Sequence, residues 1–187
     1  MNYKKRITGL IVLAVLCTFS YCQAATSMKA IDFDVQQTLD KFSRETVGGQ
    51  DFIRKAKGIL VFPNVIKAGF WAGGEYGEGA LFVKGKTTDY YSTIAGSFGI
   101  QFGAQKKSLI ICFMNQESLD QFRKSSGWEI GVDASVALIK AGAGMKVDTE
   151  TVKEPVVGFV LNQKGLMVNL TLEGTKISKI DKNQMIQ

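Results

Sequence analysis

Glycine recurs inside segments whose other residues alternate as strands do, and this limits the fold more than any other feature of the chain. GFWAGGEYGEG, residues 69–79, is followed by AGSFGIQFGA at 95–104, with Gly96, Gly99 and Gly103, and by KAGAG at 140–144, with Gly142 and Gly144. Within a strand, glycine marks a bulge, a sharp bend or close approach of a second backbone. Several such segments in one chain predict a sheet that coils on itself. A nucleotide loop is the competing reading of the first block, and it fails twice. Neither the dinucleotide fingerprint nor the P-loop spacing is present. Glu75 and Glu78 would also repel a phosphate.

The period before these blocks is helical. Ile31, Val35, Leu39 and Phe42 fall on one side, opposed by Asp34, Gln37, Lys41 and Arg44, so an amphipathic helix is expected to end before Gly48-Gly49. A short second helix is expected from Asp51, as N-cap, to Lys57, with Gly58 as its stop. Arg54 and Lys57 would share its polar face. From Ile59 the period becomes that of strands, most clearly in Leu166-Met167-Val168-Asn169-Leu170-Thr171-Leu172. Hairpin turns are expected at Lys84-Gly85-Lys86, Asn162 to Gly165 and Glu173-Gly174. One internal helix is expected over Asn115 to Lys124, with Leu119 and Phe122 inward, acids early, bases late and Gly127 as terminator. The fold class is therefore α+β: a strongly bent, mostly antiparallel, barrel-like sheet with N-terminal amphipathic helices and one internal helix.

The first residues read as a secretory leader. Lys4, Lys5 and Arg6 precede an apolar run from Leu10 to Phe19 and small residues at Ala24 and Ala25, and the run is shorter than the roughly 20 residues that span a bilayer. Residues 1–24 are assigned to this signal peptide, with a periplasmic or envelope location after cleavage. Leu16 and Tyr21, before Cys17 and Cys22, are too large for lipoprotein processing. Three of the 23 basic residues and none of the 17 acidic ones lie before Ala25, so the remainder carries +3. That is no nucleic-acid polycation. Residues 25–40 form the N-terminal segment and helix start, 41–180 the domain proper, and 181–187 a tail.

Chemistry is limited by what is absent. The chain has no histidine, which removes Ser-His-Asp and Cys-His nucleophiles and histidine metal sites. Nothing marks Glu75, Glu78, Glu129 and Asp133 as a catalytic pair, and they read as solvated turn carboxylates. Cys112, in Leu109-Ile110-Ile111-Cys112-Phe113, reads as a buried small hydrophobe. No catalytic residue, metal ligand or cofactor is expected, and the chain is read as no enzyme.

AKGILVFPNVIKAGFWAGGEYGEGALFV, AGSFGIQFGAQ, GVDASV and KGLMVNLTLEG follow one another in an order and spacing that resemble the SYLF domain, from about Lys41 to Ile180. The family is one of lipid-binding domains, found in bacterial envelope proteins and in eukaryotic proteins that join phosphoinositide membranes to actin. Two details depart from its pattern: Ala141-Gly142-Ala143-Gly144 where a Gly-Pro-x-Gly turn is common, and Tyr91-Ser92 where Trp-Ser is frequent. By region, the resemblance implies lipid contacts from the helix with Lys41 and Arg44 and from the basic Arg54-Lys55-Lys57. The residues themselves suggest a cluster of Arg54, Lys55, Lys57 and Lys67 beside Phe70 and Trp71. An anionic phospholipid or membrane surface is the expected partner, bound peripherally in the envelope. A structural or protein-interaction module of the envelope, without lipid specificity, is the alternative.

Overall fold

The computed structural model describes residues 27–69, 72–98, 105–139, 154–162, 165–166 and 172–181. Helix α1 (Met28–Glu45) opens with Ser27, whose hydroxyl accepts from the Ala30 N–H, and buries Ile31, Val35, Leu39 and Phe42. These are the four apolar positions of its helical period. Helix α2 (Gly49–Lys55) begins and ends two residues earlier than the sequence predicts. Its N-cap is Gly48 at φ +78°, and Asp51 lies in the first turn, bonded to Arg54. Gly49 must follow, because a Cβ there would fall on the Phe42 carbonyl of α1. The helix stops before Lys57 because that residue's N–H already bonds to the Phe113 carbonyl, the start of a sheet ladder.

The strands are β1 (Gly58–Gly69), β2 (Ala72–Val83), β3 (Lys86–Phe98), β4 (Gln105–Phe113), β5 (Gly127–Glu129), β6 (Ala137–Leu138), β7 (Val156–Asn162), β8 (Gly165–Leu166) and β9 (Lys176–Lys179). Among the described residues they form one sheet in the order β5-β9-β3-β2-β1-β4-β7-β6, with β8 hairpinned onto β7. Every pairing is antiparallel except β6 with β7. The turn expected at Lys84-Gly85 joins β2 to β3 with both residues at positive φ, the two-residue hairpin geometry whose twist suits the flanking strands. Asn162 and Gly165 likewise pair across the expected hairpin, and Gly174 turns at φ +76°. Helix α3 (Gln116–Lys124) is capped by Asn115, which accepts from the Ser118 N–H. It ends at Ser125, and Gly127 opens β5 instead of terminating the helix. The leader, the KAGAG segment, Phe70, Trp71 and residues 99–104, 167–171 and 182–187 lie outside the described residues.

The sheet is a strongly curled half-barrel. Trp128 of β5 and Phe113 of β4 are five strand steps apart in the order, about 24 Å if the sheet were flat. Their ring centroids are 6.0 Å apart, with Phe122 of α3 between them at 5.3 Å from Trp128 and 4.8 Å from Phe113. This inner cluster takes side chains from alternate positions, such as Leu60, Phe62, Leu81, Tyr91, Ile111, Val160 and Ile177. The opposite positions, including Ile59, Val61, Ala80, Tyr90, Ile110 and Phe159, form a second core beneath α1 and α2.

The glycines of the first block now have a structural reason. The β1 ladder slips by one residue at Pro63-Asn64, where two residues of β1 stand opposite Ser108 of β4. This bulge pushes toward β2. A Cβ on Gly79 would fall on the Val61 carbonyl oxygen, and one on Gly77 would lie 2.9 Å from Val65 Cγ2. Glycine at 79 is what lets β2 follow the bend, and a side chain at 77 would have to displace Val65.

Candidate functional site

Ten residues separate Lys57 from Lys67, and on one extended strand that is about 33 Å. The basic cluster expected from the sequence is therefore divided between the two ends of β1. At its start, Arg54, Lys55 and Lys57 border an open cleft of about 840 Å³ between α1, α2, the β2–β3 turn and α3. Leu39, Ile53, Ala56, Ile59, Phe82 and Leu119 supply its apolar surface. The sequence reading missed two further cations on the rim. Lys84, in sequence a turn residue, arrives there on the hairpin turn, and Arg123, in sequence a helix-end charge, arrives on the last turn of α3. Among the described residues, Asp40 is the one acid in the lining.

The rim charges differ in how far they are neutralised. Arg54 meets Asp51 at 2.6 Å, both well exposed. Arg123 lies 3.8 Å from Asp89, whose other oxygen takes Lys179 at 2.7 Å. Lys55, Lys57 and Lys84 are exposed and have no ion-pair partner among the described residues. Three ammonium groups without an ion-pair partner among the described residues therefore border a recess whose lining is part apolar and part polar, the polar part from Gln36, Asp40, Ser43, Gln50 and Gln116.

At the far end of β1 the charges have a different task. Lys67 stands directly opposite Glu75 in the β1–β2 ladder, and its Nζ is 3.9 Å from Glu75 Oε1. Lys107 of β4 meets the other Glu75 oxygen at 2.5 Å. The Glu75 side chain is only 14 % exposed, so the turn-carboxylate expectation is corrected: Glu75 ties three strands together from within the sheet. Glu78 is also a strand residue and accepts the Tyr76 hydroxyl at 2.8 Å. Burial, then that hydrogen bond to Glu78, pushes the Tyr76 hydroxyl up to about 12. Glu129 takes Lys176 at 3.5 Å, and Asp133 is a true turn carboxylate that accepts the Glu129 N–H at 2.6 Å.

Lys41 pairs with Glu45 at 3.7 Å on α1 and borders a smaller cleft of about 280 Å³ together with Lys106 and Lys107. Arg44 is exposed on α1 and lines neither cleft. The structure thus gathers Arg54, Lys55 and Lys57 and leaves Lys41, Arg44 and Lys67 elsewhere. Cys112 is fully buried, and burial raises its thiol to about 12, the protonated hydrophobe that its apolar neighbours predict. Among the described residues no group of three or more Cys, Asp or Glu side chains is arranged to hold a metal ion. No helix among them is long and apolar enough to cross a membrane.

Residues 94–184 match the Ysc84 family model, described as Las17-binding protein actin regulator, consistent with the SYLF resemblance. No curated protein matches the chain. The matched stretch begins inside β3 and holds Lys106, Lys107 and Arg123, whereas all eight residues singled out from the sequence precede it. The fold extends further than the match, because β2 and β1 stand between β3 and β4 in the sheet.

Proposed function

With residues 94–184 assigned to the Ysc84 (SYLF) family, we propose that the protein is a non-enzymatic binder of anionic phospholipid, acting peripherally in the cell envelope. The observation that carries this reading is the large cleft with a partly apolar lining and a rim of Arg54, Lys55, Lys57, Lys84 and Arg123. Its volume is that of ligand sites in general, roughly 300–1,000 Å³. An amphiphilic anion satisfies both parts of such a site, with its phosphate at the rim and apolar carbon on Leu39, Ile53 and Phe82. A basic side chain close to an anionic surface contributes about 1 kcal/mol. The three unpaired lysines then contribute about 3 kcal/mol, enough for reversible attachment and too little for permanent anchoring. The leader expected over residues 1–24 is what supports the envelope location.

Co-sedimentation with vesicles tests the proposal. The purified protein should bind vesicles rich in phosphatidylglycerol and leave phosphatidylcholine vesicles in the supernatant. Raising the salt from low to physiological should weaken that binding, because exposed charges are screened within about 8 Å at 0.15 M. Equal binding to both lipids, or to neither, would count against the reading.

A further inference from the structure

Helix α1 crosses the sheet on its helix-covered face. Asp32 accepts hydrogen bonds from Thr87 and Tyr90 of β3, Asp34 accepts one from Asn64 of β1, and Phe42 stacks edge-on against Phe159 of β7. Beneath it lies the cross-strand row Val61, Ala80 and Tyr90, all buried. A second row on the same face is Ile66, Tyr76 and Ile94, again directly paired across β1, β2 and β3. This row is uncovered: Ile66 is 50 %, Tyr76 41 % and Ile94 57 % exposed. Each end of the row carries a lysine: Ile66 pairs with Lys106 of β4, and Ile94 with Lys176 of β9, which is 70 % exposed and lies 3.5 Å from Glu129 of β5.

The spacing of the two rows defines what fits. Along β2 and β3 they are four residues apart, about 13 Å. Packed helices lie about 8–10 Å apart and each is about 10–12 Å across, so a second helix beside α1 would cover the exposed row. A helix stands about 10 Å off a surface, so α1 forms a wall along this shelf, and a flat bilayer would meet α1 first. The paired Gly74 and Gly96 continue the shelf toward the strand ends without side chains, with open space above Gly96. We propose that this shelf seats an amphipathic helix of a partner protein. Its apolar stripe would lie on Ile66, Tyr76 and Ile94, with acidic side chains at its two ends against Lys106 and Lys176. The two lysines are four strand steps apart, about 19 Å followed along the curled sheet, which is the length of about 13 helical residues. The shelf lies across α1 from the basic cleft and shares no residue with it, so this inference stands or falls apart from lipid binding.

The test uses two fluorescein-labelled synthetic helices of about 14 residues, each with leucine at i, i+4 and i+7. One carries glutamate at both ends and its twin carries lysine. Fluorescence anisotropy with the purified protein should show saturable binding of the acidic helix, at least about tenfold tighter than its twin. Ile66→Asp with Ile94→Asp should weaken it at least about tenfold. Should that variant fail to fold, Lys106→Glu with Lys176→Glu, at exposed positions, should reverse the preference between the twins. Absence of saturable binding, equal binding of the twins, or indifference to these substitutions would overturn the proposal. So would a row variant that loses phosphatidylglycerol vesicles while binding both helices like the wild type, since the row would then be a membrane contact.

Discussion

Gly79 and Gly96 show how differently two strand glycines can be used. At Gly79 the missing side chain makes room for the β1 bulge, with the Val61 carbonyl and the Phe62 ring in the space a Cβ would take. At Gly96 the same space is open. Gly79→Ala is expected to cost about 1–3 kcal/mol, the usual range for overpacking a site that cannot give way. Gly96→Ala should stay within about 0.5 kcal/mol of wild type. Urea unfolding of the two variants checks this, and equal effects would mean that the bulge at Pro63-Asn64 does not set the bend. The sequence pattern announced that strand glycines would serve bulges and bends. It did not distinguish these two, because the distinction depends on which backbone passes overhead.

Helix α1 is tied to the sheet by its own acids, a use that the helical period did not reveal. Asp32 was not singled out from the sequence, yet its two oxygens accept from Thr87 at 2.8 Å and Tyr90 at 3.0 Å. Burial first, then the hydrogen bond to Asp32, raises the Tyr90 hydroxyl from 10.0 to about 12. Tyr91, through burial and the nearby Asp89, and Tyr76 are raised in the same direction. The folded state therefore holds these protons more tightly than the unfolded chain does. Their contribution is complete below pH about 10, the unfolded value, and is lost as pH rises toward about 12. Thermal unfolding followed by circular dichroism should show a melting temperature that begins to fall above pH about 10. Tyr90→Phe should cost about 1 kcal/mol at neutral pH and make the alkaline fall shallower. A melting temperature unchanged from pH 9 to 12 would contradict this picture of the α1 attachment. The elements themselves were legible where local chemistry decides them, as at the Lys84-Gly85 turn and the Asn115 cap. The start of α2 was not, because it rests on Gly48 at positive φ and on Gly49 packed against the Phe42 carbonyl of α1, with no side-chain cap.

For the molecule as a whole, the curl of the sheet decides which charges meet. Lys57 and Lys67 are near one another in sequence and at opposite ends of β1, whereas Lys57, Lys84 and Arg123 come from three distant segments and border one cleft. Residue spacing could not show this, since the strand order β3-β2-β1-β4 and the position of α3 are set by long-range pairing. Of the cluster expected from the sequence, Arg54, Lys55 and Lys57 border one cleft, whereas Lys67 stands opposite Glu75. The central claim is that the cleft at the start of β1 receives the anionic lipid, and the most direct measurement compares two variants in vesicle co-sedimentation. Lys55→Glu, Lys57→Glu and Lys84→Glu together should reduce binding to phosphatidylglycerol vesicles by about 100-fold or more, from about 1 kcal/mol per lysine lost and further repulsion gained. Lys67→Gln should bind as the wild type does. If the triple variant, shown by circular dichroism to be folded, binds like the wild type while Lys67→Gln does not, the lipid site is at the other end of the strand and the account is contradicted.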